Sequence, residues 1–387
     1  MRLTRNSGER GPNESLIGVP GSLGELSTPA LVLDLDRLEA NIASLAAHAA
    51  AHSYALRPVV KIHKSVRVAR MQMEAGAIGI GCSTIAEAEA MVAGGITDIL
   101  LFTSVVTAAK LERLASLNAG AGGMIVAVDH LENVGQLGEA ARQSRVTMQV
   151  LVDVEVGDHR TGVADPATAV SMARQIAETE GLEYAGVQGY CGTHQVTTDY
   201  DERRVQGMIV LDRLAEFIEA LDVAGFPPRI VSCGGTGTHD FDHERGLLTE
   251  LQAGSYVVLD GNYLNVVLRR DEPQPFAPAL TVRGTVISNA QPGYVITDAG
   301  AKEIDGIFMP MSAHLLSGAP TDSNYAIVGD DMGRIELSGP SSSPRVGTTV
   351  ELLPPHCYQT VIMYSHYHCV RGDTLVDIWP IDAVRTW

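Results

Sequence analysis

The chain has 387 residues, 45% of them hydrophobic, with a mean hydropathy of +0.08, enough to bury one large core and add a smaller domain. Its formal net charge of −18 argues against nucleic acid and anionic membranes as partners, since both require clustered basic surfaces. Five dispersed cysteines (Cys82, Cys191, Cys233, Cys357, Cys369) with no CxxC pair fit reduced thiols in a cytoplasmic protein better than a disulfide framework.

Residues 1–27 are polar and rich in Gly, Pro and Ser, and read as a flexible lead-in with no apolar run of signal-peptide length. No segment reaches the roughly 18 apolar residues that cross a bilayer. TPALVLDL (28–35) is the first strand candidate. From residue 57 the pattern alternates. Apolar, β-branched runs fall at 57–62, 77–83, 98–104, 124–129, 146–154, 182–190, 229–233 and 251–260. Helical patterns lie between them, for example at 84–95, 130–144 and 201–225, with Gly94, Gly95 and Gly225 where helix ends favour glycine. Eight strands alternating with helices predict a (β/α)8 TIM barrel over 28–264, in preference to a doubly wound open sheet, because no GxGxxG follows the first strand. After about residue 265 helical periodicity disappears, and strands at 280–288, 293–300, 324–329, 348–354 and 374–381 predict a C-terminal all-β domain over 265–387. The 28–35 strand is a candidate to pair with that domain.

The stretch RPVVKIHK (57–64) sets Lys61 at the end of the first barrel strand, with His63 and Lys64 behind it. The seventh strand runs into Gly234-Gly235-Thr236-Gly237-Thr238, where glycines let backbone N–H groups converge on an anion and threonines add hydroxyl donors. The eighth supplies Gly254, Ser255 and Tyr256. A barrel places all of these at one mouth, and loops after strands seven and eight commonly hold phosphate. A lysine for an aldehyde and a nest for a phosphate point to pyridoxal 5′-phosphate.

With these motifs in order, the chain resembles the fold-type III, alanine racemase-like pyridoxal-phosphate enzymes. Within them it is similar to the group of D-threonine aldolase, 3-hydroxy-D-aspartate aldolase and D-serine dehydratase. The matching stretches are TPALVLDLDRLEANI (28–42), RPVVKIHKS (57–65), AGAIGIGCSTIAEAEAMVAGGITDILL (75–101), GDHRTGV (157–163), GVQGY (186–190), GGTGT (234–238), ELQAGSYVVLD (250–260) and PPHCYQTV (354–361). The resemblance implies that Lys61 forms the Schiff base, that Arg160 lies near the cofactor's phenolate side, and that Tyr190 lies near its ring. It also implies that Gly235, Thr236, Gly237 and Thr238, with Gly254, Ser255 and Tyr256, hold the phosphate. Gln252 falls where the related racemases face the pyridine nitrogen, and a neutral amide there leaves that nitrogen less firmly protonated than a carboxylate would.

One motif departs from the group. Its metal-dependent members carry a histidine followed two residues later by aspartate or cysteine, whereas here His356 is followed by Cys357 and Tyr358. A phenol with a pKa near 10 is an uncommon ligand for Mn²⁺, Mg²⁺ or Zn²⁺. A further histidine of several aldolases is replaced by Val196, with His194 two positions earlier. A rearranged set of His356, Cys357 and His194 is one alternative; weak or absent metal binding is the expectation. His366 and His368 form another i, i+2 pair, of the kind that usually lies on a strand surface. The resemblance thus implies a lyase for D-configured β-hydroxy-α-amino acids, with Lys61, His356, Tyr358 and His194 as candidate catalytic residues. Dehydration of the same substrates, a racemase using Lys61 and Tyr358 as opposed bases, and a non-catalytic cofactor carrier are the alternatives. A homodimer is implied by the family alone; the partners are small amino acids and aldehydes.

Overall fold

The computed structural model describes residues 10–121, 123–305, 313–338 and 343–384. It divides into two compact units. One comprises Ile42–Tyr256 and Asn265–Pro275; the other comprises residues up to Asn41, Val257–Leu264 and Phe276–Val384. The structure therefore draws the division differently from a single cut at 264/265, giving 257–264 to the β unit and 265–275 to the barrel unit.

After β1 (Ala30–Asp34) and α1 (Leu35–Ala51), the barrel strands are β2 (Ala55–Leu56), β3 (Ile80–Cys82), β4 (Ile99–Leu101), β5 (Ile125–Val128), β6 (Met148–Asp153), β7 (Leu182–Gln188), β8 (Ile230–Cys233) and β9 (Glu250–Leu251). Between them run α2 (Val66–Glu74), α3 (Ile85–Ala93), α4 (Ala108–Ala121), α5 (Leu131–Ser144), α6 (Pro166–Glu178) and α7 (Tyr200–Val223). Ser65, Thr84, Asp165 and Asp199 cap α2, α3, α6 and α7 by accepting from backbone N–H groups of the first turn. All pairs are parallel, in the order β2-β9-β8-β7-β6-β5-β4-β3, and a Val59–Gly81 bridge joins the two ends of that order into a ring. Gly81 N donates to Pro58 O at 2.8 Å across this closure. Leu100, Ile125, Leu151 and Ala185 fill the interior. Because every strand runs the same way, the segments following their C-terminal ends share one rim.

The first barrel strand is shorter than its apolar run suggests. Pro58 removes a ladder donor, and the backbone of Val60–Ile62 winds into a 3₁₀ turn closed by Lys64 N and His63 N donating to Val60 O at 2.7 and 3.1 Å. Lys61 sits in that turn and not in a strand.

The β unit adds β10 (Leu280–Ser288), β11 (Tyr294–Thr297), β12 (His314–Ser317), β13 (Asn324–Ile327), β14 (Gly333–Glu336), β15 (Thr349–Leu353), α8 (Cys357–Met363), β16 (His366–Arg371) and β17 (Thr374–Pro380). β1 belongs here: it pairs antiparallel with β10 and parallel with β16. The flexible lead-in expected over 1–27 is corrected from residue 10 onward, its first nine positions lying outside the described residues. Leu16, Ile17 and Leu23 pack against a cluster of Leu26, Ala30, Val32, Val370, Leu375 and Ile378. Gly18 N and Leu23 N donate to Leu375 O and Asp373 O, so apolar anchors too sparse to register as an element still tie the segment down. His368, one of the YSHYHC pair, spends its ring on this packing, against Leu31 O at 3.2 Å and Asn13 Nδ2 at 2.9 Å. All five cysteines are reduced and buried, and among the described residues no helix is long and apolar enough to cross a membrane.

Candidate active site

The candidate site residues read from the sequence fall into two groups, one in each unit. In the barrel unit the two lysines of VKIHK have separate fates. Lys64, held at a left-handed φ of 51°, drives its ammonium into a buried ion pair with Glu87. Glu87 in turn accepts from Ser83 N and Ser83 Oγ at 2.7 Å each, and these contacts outweigh burial and hold its carboxyl below the usual range. Lys61 makes no hydrogen bond or ion pair with any described residue. Burial first, then the Arg160 charge, holds its amine below the ordinary lysine range, with Glu87 opposing and Lys64 adding to the effect. A less basic amine is more often neutral, and the neutral form attacks a carbonyl. Arg160 reaches the same neighbourhood from the loop after β6, and its guanidinium lies 5.2 Å from the Tyr190 ring centroid. Burial pushes the Tyr190 phenol up to about 12, so it is a hydrogen-bond donor at neutral pH.

The glycine-rich loop after β8 is built differently from a simple ring of open donors. Gly235 N donates to Thr238 Oγ1 at 3.1 Å and Gly237 N to Gln195 Oε1 at 2.7 Å. A Cβ on Gly237 would fall 1.9 Å from Gln195 O, so this glycine is required by the 191–195 segment pressing on the loop. The buried Asp242 carboxyl fastens the loop, accepting from Thr238 Oγ1 at 2.7 Å. Thr236 Oγ1 accepts from Tyr256 N at 3.0 Å, which locks the loop to the 3₁₀ turn Ser255–Val257. The Tyr256 hydroxyl is buried against Gln72 Nε2 at 3.0 Å, so its side chain serves packing. The N–H groups of Thr236, Gly254 and Ser255 make no hydrogen bond to a described residue. Val59 N donates to Ala253 O at 3.0 Å, tying the Lys61 turn to the Gly254–Ser255 donors. An unpaired amine and three open N–H donors on adjoining segments fit the aldehyde and the phosphate of pyridoxal phosphate.

Gln252 anchors a buried polar chain: its Nε2 donates to Ser232 Oγ at 2.8 Å, and Gln188 Nε2 donates to Asp153 Oδ1 at 3.1 Å. His194 lines a small cavity with Cys191, Gly207, Val210, Cys233, Gly234 and Asp242, behind the glycine-rich loop.

In the β unit, PPHCYQTV forms α8 with His356 at its N-cap, an element the sequence pattern did not disclose. Gly261 N and Asn262 N donate to Pro354 O and Pro355 O at 2.9 and 3.1 Å, and this pairing brings Asp260 against His356. The fully buried Asp260 carboxylate accepts from His356 Nδ1 at 2.9 Å, which orients the ring. Asp260 was within the matching stretch ELQAGSYVVLD, yet nothing local announced its role. The His314 ring, also missed, lies over Gly261, where an added Cβ would meet its Cδ2 at 2.6 Å. Tyr358 lies with its ring centroid 5.9 Å from that of His356. Cys357 is buried, and burial and then Asp260 push its thiol well above the usual range. A phenol beside one imidazole is an uncommon donor set for a divalent ion.

Residues 33–260 match the alanine racemase N-terminal domain and residues 279–370 the putative serine dehydratase domain. The chain is 36% identical to a D-threonine aldolase of an Arthrobacter species, over 94% of each chain. It is 32% identical to a 3-hydroxy-D-aspartate aldolase of Paracoccus denitrificans, covering 93% of this chain and 92% of the relative. The crystal structure of D-threonine aldolase from Filomicrobium marinum superposes with a TM-score of 0.89 at 34% identity, covering 93% of this chain and 96% of that one. The resemblance drawn from the motifs and these similarities agree: the chain belongs to the alanine racemase N-terminal domain family, in the branch that holds D-threonine aldolase and 3-hydroxy-D-aspartate aldolase.

Proposed function

We propose that the protein is a pyridoxal-phosphate-dependent carbon–carbon lyase of D-configured β-hydroxy-α-amino acids, cleaving them to glycine and an aldehyde or running in reverse. The observation that carries this reading is the 36% identity with an aldolase over 94% of the chain. Bound to the chain, the cofactor supplies a sink for the negative charge left when a bond to Cα breaks. Lys61 is the amine that takes its aldehyde, because Lys64 is consumed by Glu87. The open N–H groups of Thr236, Gly254 and Ser255 would hold its phosphate, Gln252 would serve its ring nitrogen, and Arg160 and Tyr190 would contact its ring.

His356 Nε2, oriented by Asp260, takes the proton from the β-hydroxyl, so that the Cα–Cβ bond breaks as the aldehyde forms. Tyr358 is a proton donor on the same helix. We assign the proton transfer to His356 and not to His194, which lines a small cavity with Cys233 and Gly234. This assignment needs no divalent ion at 356–358. The reduced cysteines support a reducing compartment, and we include a cytoplasmic homodimer in the proposal.

A second reading is loss of water, favoured by the putative serine dehydratase match over 279–370. Product analysis with D-threonine separates the two. The lyase gives equimolar glycine and acetaldehyde, with EDTA leaving the rate largely intact. Keto acid and ammonia would establish dehydration instead. Cα-deuterium exchange from D₂O without either product would establish a racemase. Complete loss in EDTA, restored by Mn²⁺, would overturn the metal-free assignment.

A further inference from the structure

The last turn of α1 carries His48, and His52 follows four positions on, so the two imidazoles project from one side. The segment after the glycine-rich loop brings His243 against them. The rings of His52 and His243 stack at 3.7 Å and 26°, and the His48 ring centroid lies 4.4 Å from that of His52. One ligand atom from each of the three lies within 4.8 Å of the others. His48 Nε2 faces His239 O at 3.1 Å. A carbonyl only accepts, so the proton is on Nε2 and the lone pair is on Nδ1. This is the carbonyl-anchored arrangement that orients metal-binding imidazoles. His243 Nδ1 is buried and has no hydrogen-bond partner among the described residues.

Burial, then Arg269 and His52, lowers His48 to about 4, and burial and then His52 lowers His243. Three clustered ring nitrogens, one of them the buried His243 Nδ1 with no partner among the described residues, leave a polar group that a cation would satisfy. Asp240 bears on both His48 and His243, and Glu244 on His243, and their negative charge favours a cation; Arg269 opposes it but is paired with Glu272 at 3.0 Å.

We propose that His48, His52 and His243 form a binding site for one imidazole-preferring divalent ion, best matched by Zn²⁺, with water completing four-coordination. Three nitrogen donors without an oxygen ligand disfavour Mg²⁺, Mn²⁺ and Ca²⁺. The ion would join the end of α1 to the segment that holds the glycine-rich loop, since His239 Nδ1 contacts Thr236 O at 2.7 Å and Asp242 fastens Thr238. It would therefore stiffen the anion cradle without taking part in the reaction.

The test is calorimetric titration of the chelator-stripped, cofactor-loaded full chain with ZnCl₂, alongside the visible spectrum with Co²⁺. The expected result is one equivalent per chain, a tetrahedral Co²⁺ spectrum, no heat with Mg²⁺, and a rise in melting temperature with Zn²⁺. His52→Ala and His243→Ala should each weaken binding at least about tenfold, and His356→Ala should not change it. His52 is exposed, so its variant tests the site without risk to folding. Unchanged affinity in His52→Ala, or loss of the ion in His356→Ala alone, would overturn the proposal.

Discussion

Replacing Asp260 by asparagine tests the catalytic assignment most finely, because it should separate activity from stability. The carboxylate has no solvent exposure and holds His356 Nδ1–H at 2.9 Å, while its second oxygen, Oδ1, makes no hydrogen bond with a described residue. A hydrogen bond to a charged group contributes about 1.5–3 kcal/mol. Asparagine removes that charge but also a poorly solvated buried anion, so the two effects offset and the melting temperature should move little. Catalysis has no such compensation. The asparagine amide can donate to Nδ1, which forces the proton onto Nε2 and removes the base. General acid–base catalysis contributes about 10²–10⁴-fold, so kcat should fall by at least about 100-fold with little change in KM. Steady-state kinetics, thermal melting and the cofactor's visible absorbance on one preparation check this. A kcat within about threefold of the parent, or a loss of activity that merely tracks a loss of folded protein, would refute the role given to the Asp260–His356 pair.

Asp153 gives a pH prediction. Burial raises its carboxyl from 3.8 to about 6, with Asp129 adding to this and Thr161, Gln188 and Arg160 opposing. A carboxyl whose folded pKa lies above its unfolded value favours the fold when protonated, and that contribution fades as pH rises from about 4 through 6. Asp153→Asn should therefore stabilise the apo chain by up to about 3 kcal/mol above pH 7 and not below pH 4, measured by denaturant unfolding. A pH-independent difference would rule out titration of Asp153 as the cause. Gly237→Ala should weaken cofactor binding well over tenfold, because its Cβ meets a backbone oxygen at 1.9 Å; equilibrium dialysis showing parent affinity would mean that the loop is not rigid.

Much of the barrel was legible because β-branched runs and helical spacing alternate with capping residues such as Thr84 and Asp165 at the junctions. The 3₁₀ turn at Val60–Ile62 was not, since three residues of an apolar run look alike in a strand or a turn. α8 is seven residues long, below the length at which helical periodicity can be counted, so no element was assigned to His356 and Tyr358. Glycines at 235 and 237 signalled a tight loop, but the sequence could not say that their N–H groups are taken by Thr238 and Gln195 while Thr236, Gly254 and Ser255 stay open. Asp260 lies 96 positions before His356, and pairing over that distance has no local signature. The three clustered histidines are equally non-local, coming from the end of α1, the turn just after it and a second turn some two hundred residues later.

The central claim is that Lys61, and not Lys64, receives the cofactor. Borohydride reduction of the cofactor-loaded chain, followed by peptide mass mapping, tests it directly. The account predicts a pyridoxyl group on Lys61 alone, absent in Lys61→Ala. A label on Lys64, on any other lysine, or on none would contradict it.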